Sequence, residues 1–470
     1  MAKNKKSEDP KQDKGSGTKL ISMRIPKETI SKLRKVAEKK GDMGYQQVIK
    51  SYINLGLIDE LDDDLKAVQT ALAKQQPGQA STVAIPQKQE PKAEPLQSPV
   101  KSPAKPKTAG APKRNSLGEL ATSKVITEDI KELAKSLDGY YHLFAGKTFL
   151  ITGAFGFLGR YMVFLLKYLN ENVLSRKAKA LLLDNFVTGY EQRVISDENL
   201  AFYRADVVKP FSTDEPIDYL IHAAGIASPV YYTKYPIETM DVGTLGTRNM
   251  LELARIKNVK SFLFTSSSEV YGDPDPKHVP TKEDYYGNVS ILGPRSCYDE
   301  SKRFGETMCM TYWKVFNVPV KMVRPFNVYG PGIRPDDYRV LPNFIEHALR
   351  KEPLPIHGEG KNTRSFCYIN DALEALFKVL FSKANGEAFN IGNPAPEISV
   401  KDLGAMVAEF MPYKVDVVNI DPPHTVYASA DPKRRCPDIS KLTKVTGFKP
   451  RYPLEEGLVR TIKWFREFNF

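Results

Sequence analysis

Apolar and polar residues alternate near the front of the chain and then recur at helical spacing. Residues 19–25 place their Ile and Met side chains on one face and Ser22 and Arg24 on the other, which predicts a short strand. Residues 29–40 and 45–57 repeat apolar positions every three or four residues, which predicts two helices. One strand and two helices of this size cannot bury a core alone.

The segments around this small module have a different composition. The predicted organisation is a disordered basic tail (1–17), the strand–helix–helix module (18–58), a short helix (59–75), a Pro/Lys-rich linker (76–115) and a helix leading into the main domain (116–136). The linker carries eight prolines among Lys, Gln, Ala and Ser. Such a composition forms no core and is typical of a semi-extended tether.

From residue 147 onward, apolar strands alternate with amphipathic helices. The predicted strands are 147–152, 180–184, 217–223, 261–265 and 320–324, with a helix at 160–169 after the first strand. Strands that alternate with helices form a parallel sheet that is covered on both faces. The sequence therefore predicts an α/β domain within residues 116–470, whose sheet begins near residue 146.

A glycine-rich turn joins the first of these strands to its helix. Gly153 allows the tight turn, Gly156 lets backbone N–H groups approach a pyrophosphate, and Gly159 lets the helix pack on the sheet. Asp184 ends the second strand, where a carboxylate binds the ribose 2′-hydroxyl and repels a 2′-phosphate, so NAD is favoured over NADP. The alternative role for Asp184 is a cap of the following loop. Asp206, after a further strand, is expected at the adenine edge of the site.

Tyr298 and Lys302 lie four residues apart in a helical stretch further along the chain. This spacing places both side chains on one helix face. Because Lys⁺ favours the phenolate, we expect Tyr298 to act as a base with a pKa below its ordinary value of about 10. The pair has meaning here because a nucleotide-binding turn precedes it.

Charge and composition narrow the picture further. The net charge is +12, and residues 1–124 hold 24 Lys and Arg against 14 Asp and Glu, so an acidic partner would bind the front of the chain. The four cysteines form no C-x-x-C pair, which favours a reduced cytoplasmic protein, and the six scattered histidines predict no metal site. Because no run of about 18 apolar residues occurs, no membrane span is expected.

The front module reads ISMRIPKETISKLRKVAEKKG followed by YQQVIKSYINLGL. It resembles a ribbon-helix-helix module of the CopG-like antitoxin type. In that family two chains pair their strands into a ribbon that enters the DNA major groove. The resemblance implies that Ser22 and Arg24 face the bases of a DNA partner. A hairpin that only dimerises or docks is the alternative.

Nine motifs follow one another through the main domain. They are TGAFGFLG (152–159), LLLDN (181–185), DVV (206–208), HAAG (222–225), TSSSEVYGDP (265–274), YDESK (298–302), RPFNVYGPG (324–332), TRSFCYIND (363–371) and RRCPDI (434–439). Together they resemble an extended short-chain dehydrogenase/reductase of the NAD-dependent epimerase/dehydratase family, over roughly residues 146–470. The resemblance implies a Rossmann-type doubly wound sheet that binds NAD, a smaller C-terminal lobe (mainly 330–470) that binds a nucleotide sugar, and a homodimer.

The resemblance also implies roles for individual residues. Tyr298 and Lys302 form the catalytic pair, and Ser267 bonds the sugar 4-hydroxyl. The implied cofactor-binding residues are Gly153, Gly156, Phe157, Leu158, Gly159, Asp184, Asn185, Asp206, Val207 and Ala224, together with Tyr298 and Lys302. The implied substrate-binding residues are Asn327 for the diphosphate, Arg339, Arg364 and Arg435 for the anionic substrate, and Tyr232.

The stretches DNFVTG, SEVYGDP, GPRSCYDESKR and PLEEGL are similar to the versions in UDP-glucuronate decarboxylases. Ser268 and Glu269, together with Arg435, resemble the residues that these enzymes place beside C5 and C6 of the sugar. The resemblance therefore implies conversion of UDP-glucuronate to UDP-xylose with NAD recycled. A structural carboxylate is the alternative for Glu269. A 4-epimerase or a 4,6-dehydratase stays open, as does a DNA-binding regulator with an NAD- or sugar-nucleotide-sensing domain.

Overall fold

The computed structural model describes residues 123–188, 197–334, 337–421 and 431–467. The predicted tail, ribbon-helix-helix module, short helix and linker, including Ser22 and Arg24, lie outside these residues and stay predictions. The described chain forms a large parallel sheet covered by helices, followed by several small sheets. None of the helices in these ranges has the length and apolar composition that a membrane crossing requires.

Seven parallel strands form the large sheet. Across the sheet they are β11 (Glu387–Ile391), β6 (Val320–Pro325), β5 (Ser261–Thr265), β4 (Tyr219–His222), β1 (Thr148–Thr152), β2 (Lys179–Asp184) and β3 (Leu200–Arg204). The chain runs outward from β1 to β3 and then outward on the other side from β4. The direction therefore reverses between β1 and β4, and sheets of this type bind ligands in the crevice at that point.

Successive residues of the central strands enter two different cores. In β1, Phe149 and Ile151 pack in the core on one face of the sheet, whereas Leu150 packs in the core on the other. In β5, Leu263 and Phe264 divide in the same way. Every residue of both strands is buried, which is why the sequence shows continuous apolar runs here instead of alternation.

Twelve helices are numbered here in chain order among the described residues. They are α1 (Lys124–Ser136), α2 (Tyr141–Phe144), α3 (Phe157–Asn172), α4 (Pro229–Lys234), α5 (Pro236–Asp241), α6 (Thr247–Lys257), α7 (Ser296–Phe316), α8 (Val340–Leu349), α9 (Ile369–Phe381), α10 (Val400–Glu409), α11 (Ser440–Thr446) and α12 (Leu454–Glu467). A π-helical turn, Val242–Gly246, joins α5 to α6. A Cβ on Gly243 in this turn would lie 2.7 Å from the side chain of Ser301, so α7 packs directly against it.

The smaller strands belong to the C-terminal part of the chain. β7 (Val328–Tyr329) pairs with β10 (Cys367–Tyr368), β8 (Leu354–His357) pairs with β13 (Val417–Ile420), and β9 (Thr363–Ser365) lies between β12 (Glu397–Ser399) and β14 (Arg434–Arg435). The parallel register of β9 and β14 sets Arg364 opposite Arg435. Two arginines distant in sequence therefore lie side by side.

A buried polar cluster around Asp129 ties α1 to the rest of the fold. The hydroxyls of Tyr161 and Tyr368 donate to Asp129 Oδ2 at 3.1 and 2.7 Å, and Arg460 donates to Oδ1 at 2.9 Å. Burial raises the pKa of Asp129 to about 6, although these donors oppose the shift. The cluster joins α1 to α12 and to α3, the helix that follows the glycine-rich turn.

The predicted strands and the fold of the main domain are confirmed. Each predicted strand agrees with an observed strand to within two residues at either end, and the helix predicted at 160–169 extends over Phe157–Asn172. The helix predicted over 116–136 ends at Ser136 as expected. In the described residues this helix begins at Lys124. Ser123 is its N-cap, and the Oγ of Ser123 accepts the N–H of Ile126.

Candidate active site

The turn between β1 and α3 allows a ligand to approach the backbone closely. Gly153 has a φ of +66°, and a Cβ at this position would lie 2.8 Å from the carbonyl oxygen of Ala223. Both the conformation and the space therefore require glycine. Gly156 is the N-cap of α3, and as a glycine it has no side chain with which to cap this helix end. The first amides of α3 thus remain available for an anion at the positive end of the helix.

A cleft runs from this turn along the carboxyl ends of β1, β2 and β4. It is lined by most of the predicted cofactor residues, namely Gly153, Gly156, Phe157, Asp184, Asn185, Asp206, Val207 and Ala224. Leu158 instead packs against the core. A Cβ on Gly159 would collide with the Gly153 carbonyl, so this glycine serves helix packing. The glycine turn, the helix N-terminus and the carboxylate in this lining suit an extended dinucleotide.

Asp184 is fixed at the edge of this cleft. Its Oδ2 accepts the N–H of Phe155 and its Oδ1 accepts the N–H of Phe186, both at 2.9 Å. Burial raises the pKa of Asp184, and these backbone bonds oppose the shift. Each oxygen has a lone pair left for a ribose hydroxyl. The two roles weighed for Asp184 are therefore compatible, because it caps its loop and also lines the cleft.

Tyr298 and Lys302 are both buried on α7, and the fold brings Ser267 to them. The Ser267 side chain lies near the Tyr298 hydroxyl and acts to lower its pKa. The Tyr298 ring stacks on Tyr232, with ring centroids 5.2 Å apart and an interplanar angle of 8°. Lys302 Nζ donates to the Thr265 carbonyl at 2.8 Å and lies 5.8 Å from the centroid of the Tyr298 ring. Three of the predicted catalytic residues thus form one group, with Tyr232 as its wall.

The pKa expected for Tyr298 is wrong for the protein by itself. Burial raises the pKa of Tyr298 to about 12, and the nearby Ser267 side chain only partly offsets this. Burial also lowers the pKa of Lys302 to about 8. The desolvation of the phenol outweighs the nearby ammonium, whose hydrogen bond goes to a main-chain carbonyl. A further positive charge is needed to favour the phenolate.

A cluster of buried charges surrounds Glu269, in the 3₁₀ turn (Ser268–Tyr271) that follows β5. Arg295 and Arg435 both donate from Nη2 to Glu269 Oε2, at 2.6 and 2.8 Å. Burial by itself would raise the pKa of Glu269, but the two guanidiniums bring it below its ordinary value. Glu269 is therefore held as a carboxylate. Ser268, the other predicted residue of this turn, is buried.

Arg364 completes the cluster from β9. It pairs with Asp431 at 2.7 Å, and Asp431 also lies 3.4 Å from Arg295. Arg364 further donates to the carbonyl oxygens of Thr363, Pro432 and Lys433. Most of its donors thus serve the C-terminal segment itself, and its predicted contact with substrate stays a prediction.

Two members of the cluster were not predicted from the sequence. Arg295 contacts Glu269, and Asp299 lies with its Oδ2 at 3.9 Å from Arg295 Nε. Both occur in the stretch GPRSCYDESKR, and their spacing of four residues places them on one helix face. This spacing, next to the catalytic tyrosine, is the sequence signal that could have predicted an Arg295–Asp299 pair at the site.

Arg339 and Asn327 take other positions. Arg339 pairs with Asp337, and both line the nucleotide cleft. Its charge also acts on Tyr298, whose pKa it lowers as a minor contribution. Asn327 donates from Nδ2 to the carbonyl of Ser365 at 2.8 Å. Their contacts with a substrate stay predictions.

Known proteins resemble this chain in both sequence and fold. Residues 149–392 match the model of the NAD dependent epimerase/dehydratase family. The chain is 39% identical over 329 residues to UDP-glucuronic acid decarboxylase 2 of Arabidopsis thaliana, covering 68% of this chain and 69% of the relative. The chain belongs to the NAD-dependent epimerase/dehydratase family. It is also 38% identical over 324 residues to UDP-glucuronic acid decarboxylase 1 of Xenopus tropicalis, covering 68% of this chain and 72% of the relative.

Solved structures with the same fold include two UDP-glucose 4-epimerases. That of Thermotoga maritima with UDP-glucose has a TM-score of 0.60 at 25% identity and covers 69% of this chain and 100% of its own. That of Thermus thermophilus with NAD has a TM-score of 0.57 at 25% identity and covers 68% of this chain and 99% of its own. As a member of the epimerase/dehydratase family, the protein is an NAD-dependent enzyme that modifies nucleotide sugars. The glycine turn without room for a Cβ and the carboxylate of Asp184 fit this cofactor.

Proposed function

We propose that the protein decarboxylates UDP-glucuronate to UDP-xylose, with NAD regenerated in each turnover. The observation that carries this proposal is the arginine cluster beside Tyr298 and Ser267. Arg435 Nη2 binds Glu269, while its Nε is buried and has no hydrogen-bond partner among the described residues. A buried donor without a partner is costly, and guanidinium groups are suited to carboxylates. A substrate carboxylate would satisfy it, and the decarboxylase names of the relatives support the same substrate.

The reaction begins at the sugar 4-hydroxyl. In this proposal Tyr298 takes the hydroxyl proton, and Ser267, which lies near the Tyr298 hydroxyl, orients the sugar hydroxyl. NAD, held in the cleft by the glycine turn and Asp184, would supply a positive charge that favours the phenolate and a reversible hydride acceptor for C4. A general base held in position contributes roughly 10²–10⁴-fold to the rate.

Oxidation at C4 makes the uronic acid a β-keto acid, because its carboxylate is bonded to C5. The C5–C6 bond then breaks, its electron pair moves into an enolate on O4, and CO₂ leaves. Tyr298, which has gained a proton, donates a hydrogen bond to this enolate oxygen. Uptake of a proton from water at C5 restores the ketone, and Tyr298 gives its proton back to O4 when C4 is reduced again. Because Glu269 is held as a carboxylate by two arginines, we assign it the orientation of Arg295 and Arg435, and not proton donation.

The other reactions of the family fit these residues less well. A 4,6-dehydratase needs an acid and a base beside C5 and C6, whereas here a buried serine, Ser268, precedes Glu269. A 4-epimerase needs room for the ketosugar to rotate and no paired arginines beside the ring. Both reactions therefore serve as alternatives in the test.

The test is a panel of substrates with purified protein and NAD⁺, analysed by NMR of the products. We expect CO₂ and a UDP-pentose from UDP-glucuronate, and no product from UDP-glucose or dTDP-glucose. Tyr298→Phe is the control for turnover at this site. Epimerisation of UDP-glucose or dehydration of dTDP-glucose, without CO₂ from UDP-glucuronate, would replace the decarboxylase assignment.

A further inference from the structure

Asp299 directly follows the catalytic tyrosine, and the reaction described above gives it no role. Its side chain is buried. Its Oδ1 has no hydrogen-bond partner among the described residues, while its Oδ2 lies 3.9 Å from Arg295 Nε. A buried carboxyl with one unsatisfied oxygen is unfavourable as an ion.

Charged groups face Asp299 from three elements. Arg295 and Glu300 lie at the start of α7 with it, Glu269 approaches from the turn after β5, and Arg435 approaches from β14. Tyr298 adds a phenol on the same helix. Burial first, and then the Glu269 carboxylate, raise the pKa of Asp299 to about 8, against the opposing effect of the two arginines. At neutral pH Asp299 is therefore mostly a neutral acid.

The protonation of Asp299 decides the charge of the cluster. The guanidiniums of Arg295, Arg364 and Arg435 pair with the carboxylates of Glu269 and Asp431, which leaves one net positive charge. Ionised Asp299 would cancel this charge. The site would then meet a substrate carboxylate with no excess of positive charge, in surroundings where charges are poorly screened.

We propose that Asp299 sets the charge of the Arg295–Glu269–Arg435 cluster and so determines selectivity for a sugar that carries a carboxylate. The identity of that sugar as UDP-glucuronate rests on the proposed function. Asp299 acts through Arg295, so it is a positioning residue and not a catalytic one. When Asp299 is a neutral acid, the cluster can bind the substrate carboxylate. When Asp299 is ionised, the cluster no longer attracts that carboxylate.

As a consequence, the affinity should depend on pH only for ligands that carry a carboxylate on the sugar. Above pH 8 the affinity for UDP-glucuronate should fall, by up to about tenfold per pH unit while one ionisation opposes binding. UDP-xylose has the same nucleotide and no carboxylate, so its affinity should lack this dependence. The ratio of the two dissociation constants cancels effects common to both ligands, including those of Lys302, whose pKa is also about 8.

The experiment measures the dissociation constant of UDP-glucuronate divided by that of UDP-xylose. Both constants are obtained by calorimetry from pH 6.5 to 9.5 on the full chain loaded with NADH. NADH cannot accept hydride and therefore prevents turnover. Wild type should show a constant ratio up to about pH 7.5 and a rising ratio above pH 8. Glu300→Gln should show the same rise from a slightly lower pH, because the Glu300 carboxylate adds a little to the raised pKa of Asp299. Glu300 is the matched control, since its side chain is 39% exposed and pairs with Arg303 at the surface. Asp299→Asn, which keeps the neutral shape, should show a flat ratio.

A flat ratio in the wild type would overturn the proposal, and this measurement needs no variant to fold. A rising ratio in Asp299→Asn, parallel to the wild type, would overturn it as well. The proposed reaction is tested separately by CO₂ release. Absence of CO₂ at every pH, with the ratio rising as expected, would refute the decarboxylation and still support the role of Asp299.

Discussion

Glu269 is the carboxylate on which two buried guanidiniums converge, and Glu269→Gln removes its charge while keeping its size. The Nη2 atoms of Arg295 and Arg435 lie 2.6 and 2.8 Å from Glu269 Oε2, and the three side chains are 7%, 9% and 12% exposed. Removing one partner of a buried ion pair costs about 3–5 kcal/mol, because the remaining charge is left without compensation. Solvent can screen little of this cost at such exposure.

Asp299 should reduce the loss of stability that Glu269→Gln causes. Glu269 is the second cause of the raised pKa of Asp299, so its replacement lets Asp299 ionise at lower pH and take over as counterion. We therefore expect Glu269→Gln to lie near the lower end of that range at pH 7. The double variant Glu269→Gln/Asp299→Asn should exceed the sum of the two single variants by more than about 1 kcal/mol, as coupled neighbours do.

The assay is urea unfolding at pH 7 for the two single variants, the double variant and Glu300→Gln. The control removes a surface ion pair, Glu300 with Arg303 at 3.6 Å, and should change the free energy of unfolding by less than about 1 kcal/mol. A Glu269→Gln protein within about 0.5 kcal/mol of wild type would refute the buried cluster as the source of this stability. Additive effects in the double variant would refute the compensation by Asp299.

Three further outcomes follow from the geometry. Tyr298→Phe should lower kcat by roughly 10²–10⁴-fold, because it removes the general base. The affinity for NAD, measured by fluorescence titration, should stay within about twofold of wild type, because the hydroxyl does not line the cleft. Retained turnover would contradict the role of Tyr298 as base. Gly153→Ala should cost about 1–3 kcal/mol and weaken NAD binding, because φ is +66° and the new Cβ would meet Ala223 at 2.8 Å. Gly139→Ala, which has no atom within 4 Å of its Cβ, is the control and should change neither quantity in thermal melts with and without NAD. Burial raises the pKa of Asp129 from 3.8 to about 6, so the stability present below pH 3.8 is lost as pH rises through 6, by about 3 kcal/mol. The stability of Asp129→Asn relative to wild type should improve by that amount between pH 4 and pH 7, and a difference independent of pH in urea titrations would argue against it.

The large sheet could be predicted from the sequence because its signals are local. The fully buried strands β1 and β5 appear as continuous apolar runs, and the glycine-rich turn marks the end of β1. The start of α1 was less clear, because Ser123 as an N-cap depends on a bond to one backbone N–H. The small sheet that pairs β9 with β14 depends on contacts between residues about 70 positions apart, for which no local pattern exists.

The site was predictable in its parts but not in its electrostatics. The motifs identified Tyr298, Lys302 and Ser267, and the fold brings these three together. The direction of the Tyr298 pKa was wrong because burial depends on the whole fold, and spacing on one helix cannot report it. Arg295 and Asp299 were missed because their roles depend on the contact between Glu269 and Arg435, which lie 166 residues apart in the sequence.

A ¹³C label at C6 of UDP-glucuronate follows the carboxylate that the proposed reaction releases, when the labelled compound is incubated with purified protein and a small amount of NAD⁺. We expect labelled CO₂ and UDP-xylose in equal amounts, many turnovers per NAD⁺ and no accumulation of NADH. Label that stays in the sugar, or a product that keeps its carboxylate, would contradict it.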